Sequence, residues 1–451
     1  MRSAIILAAG KGTRMKSALN KVMHPVSNKP MIGHIVCSLR NAGVDNIVVV
    51  VGHGADSVRE YLGDSVSYAV QEPQLGTGHA VMQAQCLKDM DGDTLILNGD
   101  GPCIQSETIE KVFAANADSE MTVLTAVLDD GERYGRIIRN AEGYVDRIVE
   151  AKDCTPQELA VTEINTGIFC FKNRLLFAHL QDIRNDNAQQ EYYLTDLVAI
   201  FNRCGLRVNA IVADDPQETM GVNDRVDLAR AQKWMTRREC ERHMREGVTI
   251  IDPDTVYIDV GVKIGKDTVI YPNVILQGDT VIGERVTILS NSFLRNAKIA
   301  DDVSIDSSKI VESSVGARTT IGPMSHLRNH TEIAEDCRIG NFVEFKNSYF
   351  GTGSKCAHLT YVGDADVGSG VNFGCGVVTV NYDGKNKYRT IIRDGAFIGS
   401  NCNLIAPVTI GENALLAAGS TITDSVADGD MGIARSRQQN KAGYGTKYKN
   451  K

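Results

Sequence analysis

An α/β domain followed by a parallel β-helix is the fold class that the 451-residue sequence predicts, and three observations carry it. Short β-branched or apolar runs alternate with amphipathic stretches through the first half, as an α/β sheet requires. From about Ile264 the large aliphatic residues recur at every sixth position, which is neither the helical period of about 3.6 nor the strand period of about 2. Glycine often follows that aliphatic residue, as in Ile282-Gly283, Ile339-Gly340 and Ile410-Gly411, so tight corners are expected between short strands.

Taken in order, the runs AIILAAG, NIVVVVG, DTLILNGD, MTVLTAVL, TGIFCF and VNAIVA read as strands of a mostly parallel sheet, with helical stretches such as PMIGHIVCSLRNAG between several of them. Ligands bind beyond the carboxyl ends of such strands, so the loops after IILAA and LILNG are where chemistry is expected. This unit is expected over 1–225. The charged pattern DRVDLARAQKWMTRRECERHMREG, closed by Gly247, predicts a linker helix over 226–247.

The β-helix is expected over 248–435, with a tail over 436–451 whose TKYKNK end reads as solvated. Its hexads run Ile264, Ile270, Leu276, Ile282, Ile288, Leu294, then after a slip Val315, Ile321, Leu327, Ile333, Ile339, Phe345, and finally Ile398, Leu404, Ile410, Leu416, Ile422. Small or β-branched residues stand two positions earlier in the last run, at Ala396, Cys402, Val408, Ala414 and Ser420, and fit inside a corner. A β-sandwich would alternate locally, with turns every 8 to 12 residues or about that, but would not hold a fixed step of six. Three hexads per coil give roughly nine coils and, at about 4.8 Å each, a prism on the order of 45 Å long. Between Phe373 and Ile392 the step is lost over VTVNYDGKNKYRT, so a polar loop leaves the prism, and such insertions mark a binding face.

Composition narrows the function. With 43% hydrophobic residues, 42 glycines and 10 prolines, the chain can bury two or three cores. A formal net charge of −8 excludes nucleic-acid binding through bulk positive charge, while leaving local basic pockets for phosphates. The 11 cysteines form no C-x-x-C pair or metal-ligand cluster and imply reduced thiols, hence a cytoplasmic protein. No run approaches the roughly 18 apolar residues of a membrane span, so a soluble protein is expected.

In LAAGKGTRMKSALNKVMH, residues Gly10, Lys11, Gly12, Thr13, Arg14 and Lys21 follow the first strand. Glycines admit an anion to backbone N–H groups, and cations with a hydroxyl neutralise a polyphosphate. A ligand-free surface turn is the plain alternative; the spacing matches neither a Walker loop nor a dinucleotide fingerprint. QEPQLGTGHA adds a second glycine-rich loop, and Asp100 at the tip of LILNGDGP suits a Mg²⁺ ligand bridging phosphates.

Together LAAGKGTR, QEPQLGTGHA, NGD, YGRI, IVEAKD, EINTGIF, NAQQEYYLTD and GVND occur in the order found in sugar-nucleotide pyrophosphorylases. With the hexapeptide β-helix behind them, nearly the whole chain resembles the bacterial family of bifunctional N-acetylglucosamine-1-phosphate uridyltransferases and glucosamine-1-phosphate acetyltransferases. The resemblance implies an α/β Rossmann-like nucleotidyltransferase domain followed by a left-handed parallel β-helix. It implies that Leu7, Ala8, Ala9, Gly10, Gln71, Gly76 and Thr77 hold UTP and that Arg14 and Lys21 act on its phosphates. By the same resemblance Asp100 and Asn223 ligate Mg²⁺, and Gly135, Glu150, Asn165 and Thr195 hold N-acetylglucosamine 1-phosphate.

For the second activity, acetyl transfer to glucosamine 1-phosphate needs a base, and histidine titrates near neutrality. His358 in KCAHLTYVGD is the candidate; alone, a histidine in a coil is more often structural, but Arg328, Lys346, Asn381, Tyr382 and Lys387 in the surrounding motifs reverse that balance. The resemblance implies His358 as general base with Asn381 nearby. It further implies Arg328, Lys346, Tyr361, Asn372 and Lys387 on glucosamine 1-phosphate, and Cys375, Asn381, Tyr382, Ser400, Ala418 and Arg435 on acetyl-CoA. A homotrimer whose pockets draw on more than one subunit goes with it. Four residues depart from common family patterns: Asn20 where Pro is frequent, Asn98 where Tyr is frequent, Ala357 before the histidine, and Cys375 in NFGCG. The alternative is a monofunctional nucleotidyltransferase for another hexose 1-phosphate, with a β-helix used only for trimerisation.

Overall fold

The computed structural model describes residues 1–131, 134–187 and 189–449. Two compact units, Met1–Met235 and Thr236–Lys451, divide the chain, and the division falls inside the helix Arg225–Arg245 that occupies the expected linker.

In the first unit seven strands form the main sheet, in the order Val208–Val212, Met121–Val127, Glu163–Lys172, Asp93–Asn98, Arg2–Ala8, Asn46–Val51 and Ser67–Val70. Each β-branched run of the sequence is a strand, and the central ones are buried on both faces, as in Ala4, Ile5 and Ile6 of the first strand and Val48, Val49 and Val50 of its neighbour. The mostly parallel expectation holds except at Glu163–Lys172, which runs antiparallel to both of its neighbours. That strand carries a register break between Asn165 and Ile168 where Gly167 takes φ 79°, and bulges of this kind re-aim side chains beside a site. The strand Ser67–Val70 and the hairpin Arg136–Arg139 with Val145–Val149 were not among the sequence expectations.

The second unit is a left-handed parallel β-helix. One face is a ladder of nine strands from Lys263–Ile264 to Val408–Ile410, in line with the expected number of coils. The other two faces join into one hydrogen-bonded network because Arg338–Lys346 and Lys355–Gly363 continue across a corner. The hexad aliphatics point into the prism, where all are buried except the partly buried Ile264. The slip in the hexad is not a gap in the core: Ile299, Ile305 and Ile310 fill it, with the step shortened to five at the tighter corners. Corner residues take left-handed backbone, mostly Asn, Asp and Gly, which tolerate it.

Candidate active sites

The first strand delivers Leu7 and Ala8 to its carboxyl end, where the chain turns through Ala9 and Gly10 into the glycine-rich loop. A Cβ at Gly12 would stand 2.5 Å from Lys21 Cβ, so this glycine, at φ 58°, lets the loop lie against the stem of Lys21. Lys21 opens a short 3₁₀ turn whose cap is Asn20: its side chain accepts from Val22 N at 3.1 Å and donates to His53 O at 2.7 Å. The departure from proline is therefore compensated by a cap.

Two cavities open at these strand ends. One, of about 320 Å³, is lined by Leu7, Ala8, Ala9, Gly10, Lys21, Gln71, Gly76, Thr77 and Asp100, nine of the residues expected from the sequence, together with Val22, Gln74, Ala80, Asn98 and Glu191. Buried Gln71 donates to Gly76 O at 2.9 Å, and Thr77 Oγ1 accepts from Leu194 N at 3.0 Å, which ties the second glycine-rich loop to NAQQEYYLTD. Gln74 donates to Ala9 O and braces the nucleotide loop.

The larger cavity, of about 740 Å³, includes Glu150, Asn165 and Thr195 in its wall. Gly135 is not in that wall; its carbonyl accepts from Asn165 N at 2.8 Å and so fixes the strand that is. Confinement raises the Glu150 carboxyl above the ordinary range, with the Asp153 charge adding to the effect. Asn98, Leu7, Thr77 and Glu191 belong to both cavities, so the two adjoin at the tips of the strands.

At the same edge Asp100 forms an ion pair with Lys21 Nζ. Asn223 Oδ1 accepts from Lys21 Nζ at 3.0 Å and from Arg14 Nη2 at 2.7 Å, while its Nδ2 donates to Gly221 O at 3.2 Å. The carboxylate and the amide oxygen thus converge on one cation, which is the donor set a hard divalent ion takes.

In the β-helix the candidate residues gather at two corners. Asn341 pairs with His358, and the ladders on both sides of that corner keep one offset to the next coil, Cys356 with Phe373 and Tyr361 with Val378, which seats Cys375 over His358. The same argument seats Ser400 over Cys375 and Ala418 over Ser400. Backbone bonds fasten the column: Gly376 N donates to Leu359 O at 2.9 Å, Asn401 N to Cys375 O at 2.7 Å and Gly419 N to Ser400 O at 2.8 Å. Exposed His358 and exposed Cys375 face outward. Arg435 follows Ala434, which is bonded to Ser420 Oγ and Thr421 N at the last coil.

The other corner holds the cations. Arg328 and Lys346 are register partners on adjacent coils. Lys346 Nζ donates to Asp364 Oδ2 at 3.3 Å, and Asn347 and Asn381 also donate to that carboxylate, whose pKa stays below the usual range despite burial because of these bonds. Lys387 comes back from the ejected loop through a bridge with Tyr382 and reaches Lys346, whose proximity lowers its pKa. Tyr361 folds its hydroxyl over Gly363, where a Cβ would lie 2.3 Å from it. Arg328 Nε donates to Glu344 Oε1 at 2.7 Å, and Asp364, absent from the sequence expectations, organises the Lys346, Asn347 and Asn381 part of the cluster.

Two expected neighbours are apart within one chain. Asn381 lies with Asp364, not beside His358, and Asn372 lies on the adjoining face, paired with Lys355 and Phe397. The two corners are separated by a strand of about five residues, roughly 15 Å.

Comparison with known proteins agrees with both architectures. The nucleotidyl transferase family model matches residues 3–215, a model named GMPPB C-terminal domain matches 253–350, and the bacterial transferase hexapeptide model with six repeats matches 389–424. Along nearly its whole length the chain is 52% identical over 448 residues to the bifunctional protein GlmU of Geobacillus sp. (strain WCH70), covering 98% of this chain and 97% of the relative. The chain belongs to the GlmU family. Other members are as close: the protein from Brevibacillus brevis is 51% identical over 99% of this chain and 98% of its own, and that from Listeria monocytogenes serotype 4a is 49% identical over 98% of each.

Against the family pattern, Asn98 fills its place with an amide that makes no hydrogen bond within the protein among the described residues, and it faces both cavities. Cys375 keeps the corner small. Sequence reasoning quoted the motifs that hold Gln74, Glu191 and Asp364 but gave these residues no role: Gln74 acts through Ala9 O, Asp364 through Lys346, Asn347 and Asn381, and Glu191 lines both cavities.

Proposed function

We propose that this GlmU-family chain makes UDP-N-acetylglucosamine in two steps, acetylation of glucosamine 1-phosphate in the β-helix unit followed by uridylyl transfer in the α/β unit. The observation that carries the uridylyl activity is the convergence of Lys21, Arg14, Asp100 and Asn223 at the mouth of a cavity lined by two glycine-rich loops.

In the uridylyl step a phosphate oxygen of N-acetylglucosamine 1-phosphate attacks the α-phosphorus of UTP and pyrophosphate leaves. No nucleophilic side chain is required, so positioning and charge neutralisation carry the rate. The loops of the smaller cavity seat the nucleotide, Glu150, Asn165 and Thr195 seat the sugar, and Arg14 and Lys21 hold the phosphates. Asp100 and Asn223 fit Mg²⁺, because their oxygens already converge on a cation. Bound there, Mg²⁺ supplies further neutralisation of phosphate charge.

In the acetyl step His358 accepts a proton from the substrate's ammonium group, the freed amine attacks the thioester carbonyl of acetyl-CoA, and as the C–S bond breaks the leaving thiolate takes the second proton that the nitrogen gives up. The column Cys375, Ser400 and Ala418 offers acetyl-CoA a track that starts at this base. Arg328, Lys346, Tyr361 and Lys387 offer the sugar phosphate its anion site, at the other corner. A second copy of the chain is needed to bring one protomer's His358 corner against another's cationic corner, which is the physical reason for a homotrimer. A ridge of apolar residues beside the base supports that assembly: Met324, Phe342 and Leu359 follow one another on successive coils, 58%, 62% and 62% exposed. Among the described residues no helix is long and apolar enough to cross a membrane, and with all eleven cysteines free we place the enzyme in the cytoplasm.

The test is to supply glucosamine 1-phosphate with acetyl-CoA, and separately N-acetylglucosamine 1-phosphate with UTP. Free CoA thiol and pyrophosphate are expected respectively; pyrophosphate without CoA release would reduce the β-helix to an assembly device.

A further inference from the structure

Lys21 holds both side chains assigned to the metal. Its ammonium pairs with Asp100 and donates to Asn223 Oδ1 at 3.0 Å, with the Lys21 and Asp100 side chains only 13% and 21% exposed. Arg14 adds a second positive charge on the same Asn223 oxygen at 2.7 Å. The two side chains assigned to the metal are therefore already held by cations, and a bare divalent ion entering there has to displace the Lys21 ammonium from Asp100 while sitting beside the Arg14 charge.

We propose that the Lys21 ammonium is a built-in placeholder for the divalent cation. It keeps Asp100 and Asn223 in a ligating posture and disfavours the bare ion. The ammonium is released towards the phosphates when metal and triphosphate arrive together, because the triphosphate brings the negative charge that makes room for both cations. The inference rests on the uridylyl reading of the first unit.

The local structure permits the exchange. Lys21 has its backbone fixed by the Asn20 cap, and Gly12 presses the nucleotide loop against its stem, so only the end of the side chain has to move. Gly10, Lys21 and Asp100 line one cavity, which keeps the released ammonium among groups that meet the phosphates.

The experiment is Mn²⁺ binding to the full-length protein without nucleotide, followed by the electron-spin-resonance signal of the free ion, for the native protein, Lys21→Met, Lys21→Gln and Asp100→Ala. Lys21→Met and Lys21→Gln are expected to bind Mn²⁺ about tenfold more tightly than the native protein, while uridylyl transfer falls and acetyl transfer stays as a check on folding. UTP added without sugar phosphate is expected to tighten Mn²⁺ binding strongly in the native protein and less in either Lys21 variant. Unchanged or weaker Mn²⁺ binding in both Lys21 variants, with binding lost in Asp100→Ala, would overturn the placeholder and leave the metal site standing. Full Mn²⁺ binding by Asp100→Ala would overturn the metal site and the placeholder with it.

Discussion

Asn20 and Asn98 show how single amides serve different ends. Asn20 is spent on structure, capping the turn that presents Lys21, so Asn20→Ala is expected to cost about 1 kcal/mol of local stability and to lower uridylyl transfer without touching acetyl transfer. The Asn98 side-chain amide makes no hydrogen bond within the protein among the described residues and stands where the two cavities meet. If that free amide meets the substrate, Asn98→Ala is expected to lower kcat/KM for N-acetylglucosamine 1-phosphate about tenfold, or about 1.4 kcal/mol, with thermal unfolding unchanged. A structural role would reverse that pattern, shifting unfolding and sparing kcat/KM.

At the scale of elements, the helix Arg225–Arg245 carries a built-in acid sensitivity. His243 is 1% exposed, and burial together with the neighbouring Arg242 charge lowers its pKa from 6.5 to about 4. Between those values the unfolded chain binds the proton that the folded one refuses, so stability rises with pH across that window. The contribution is complete above pH 6.5 and is lost as the pH falls towards 4, an effect of about 3 kcal/mol. Chemical denaturation at pH 7 and pH 4.5 is expected to show a larger acid loss for the native protein than for His243→Gln.

The elements also show what the sequence made legible and what it did not. The six-residue step located the inward aliphatics of the β-helix because each coil buries one residue per face, a local rule. It read the stretch from Leu294 to Val315 as a slip, because corners shortened by one residue conserve packing while breaking the period. The glycine-rich loops and Asp100 were legible for the same reason, lying next to strand ends in sequence. The contacts of Asp364 and Gln74, although both stand in quoted motifs, and the separation of Asn381 from His358 were not, since they depend on which coil or loop stacks on which.

At the scale of the molecule, the exposed ridge Met324, Phe342 and Leu359 must be covered if the acetyl site is shared between copies. If the proposed trimer forms through it, Phe342→Glu is expected to give a monomer in sedimentation equilibrium and to abolish acetyl transfer while uridylyl transfer persists. A monomer retaining full acetyl transfer would show that one chain completes the site alone.

Two chemically separate sites on one chain are the core of this account, and single substitutions in the full-length protein test it most directly, with both reactions measured on each variant. His358→Ala is expected to lose acetyl transfer by about two to four orders of magnitude and to keep uridylyl transfer, since general-base catalysis is worth that much. Asp100→Ala is expected to show the opposite pattern. A variant that lost both activities together while remaining folded, or a His358→Ala protein that acetylated at the native rate, would contradict it.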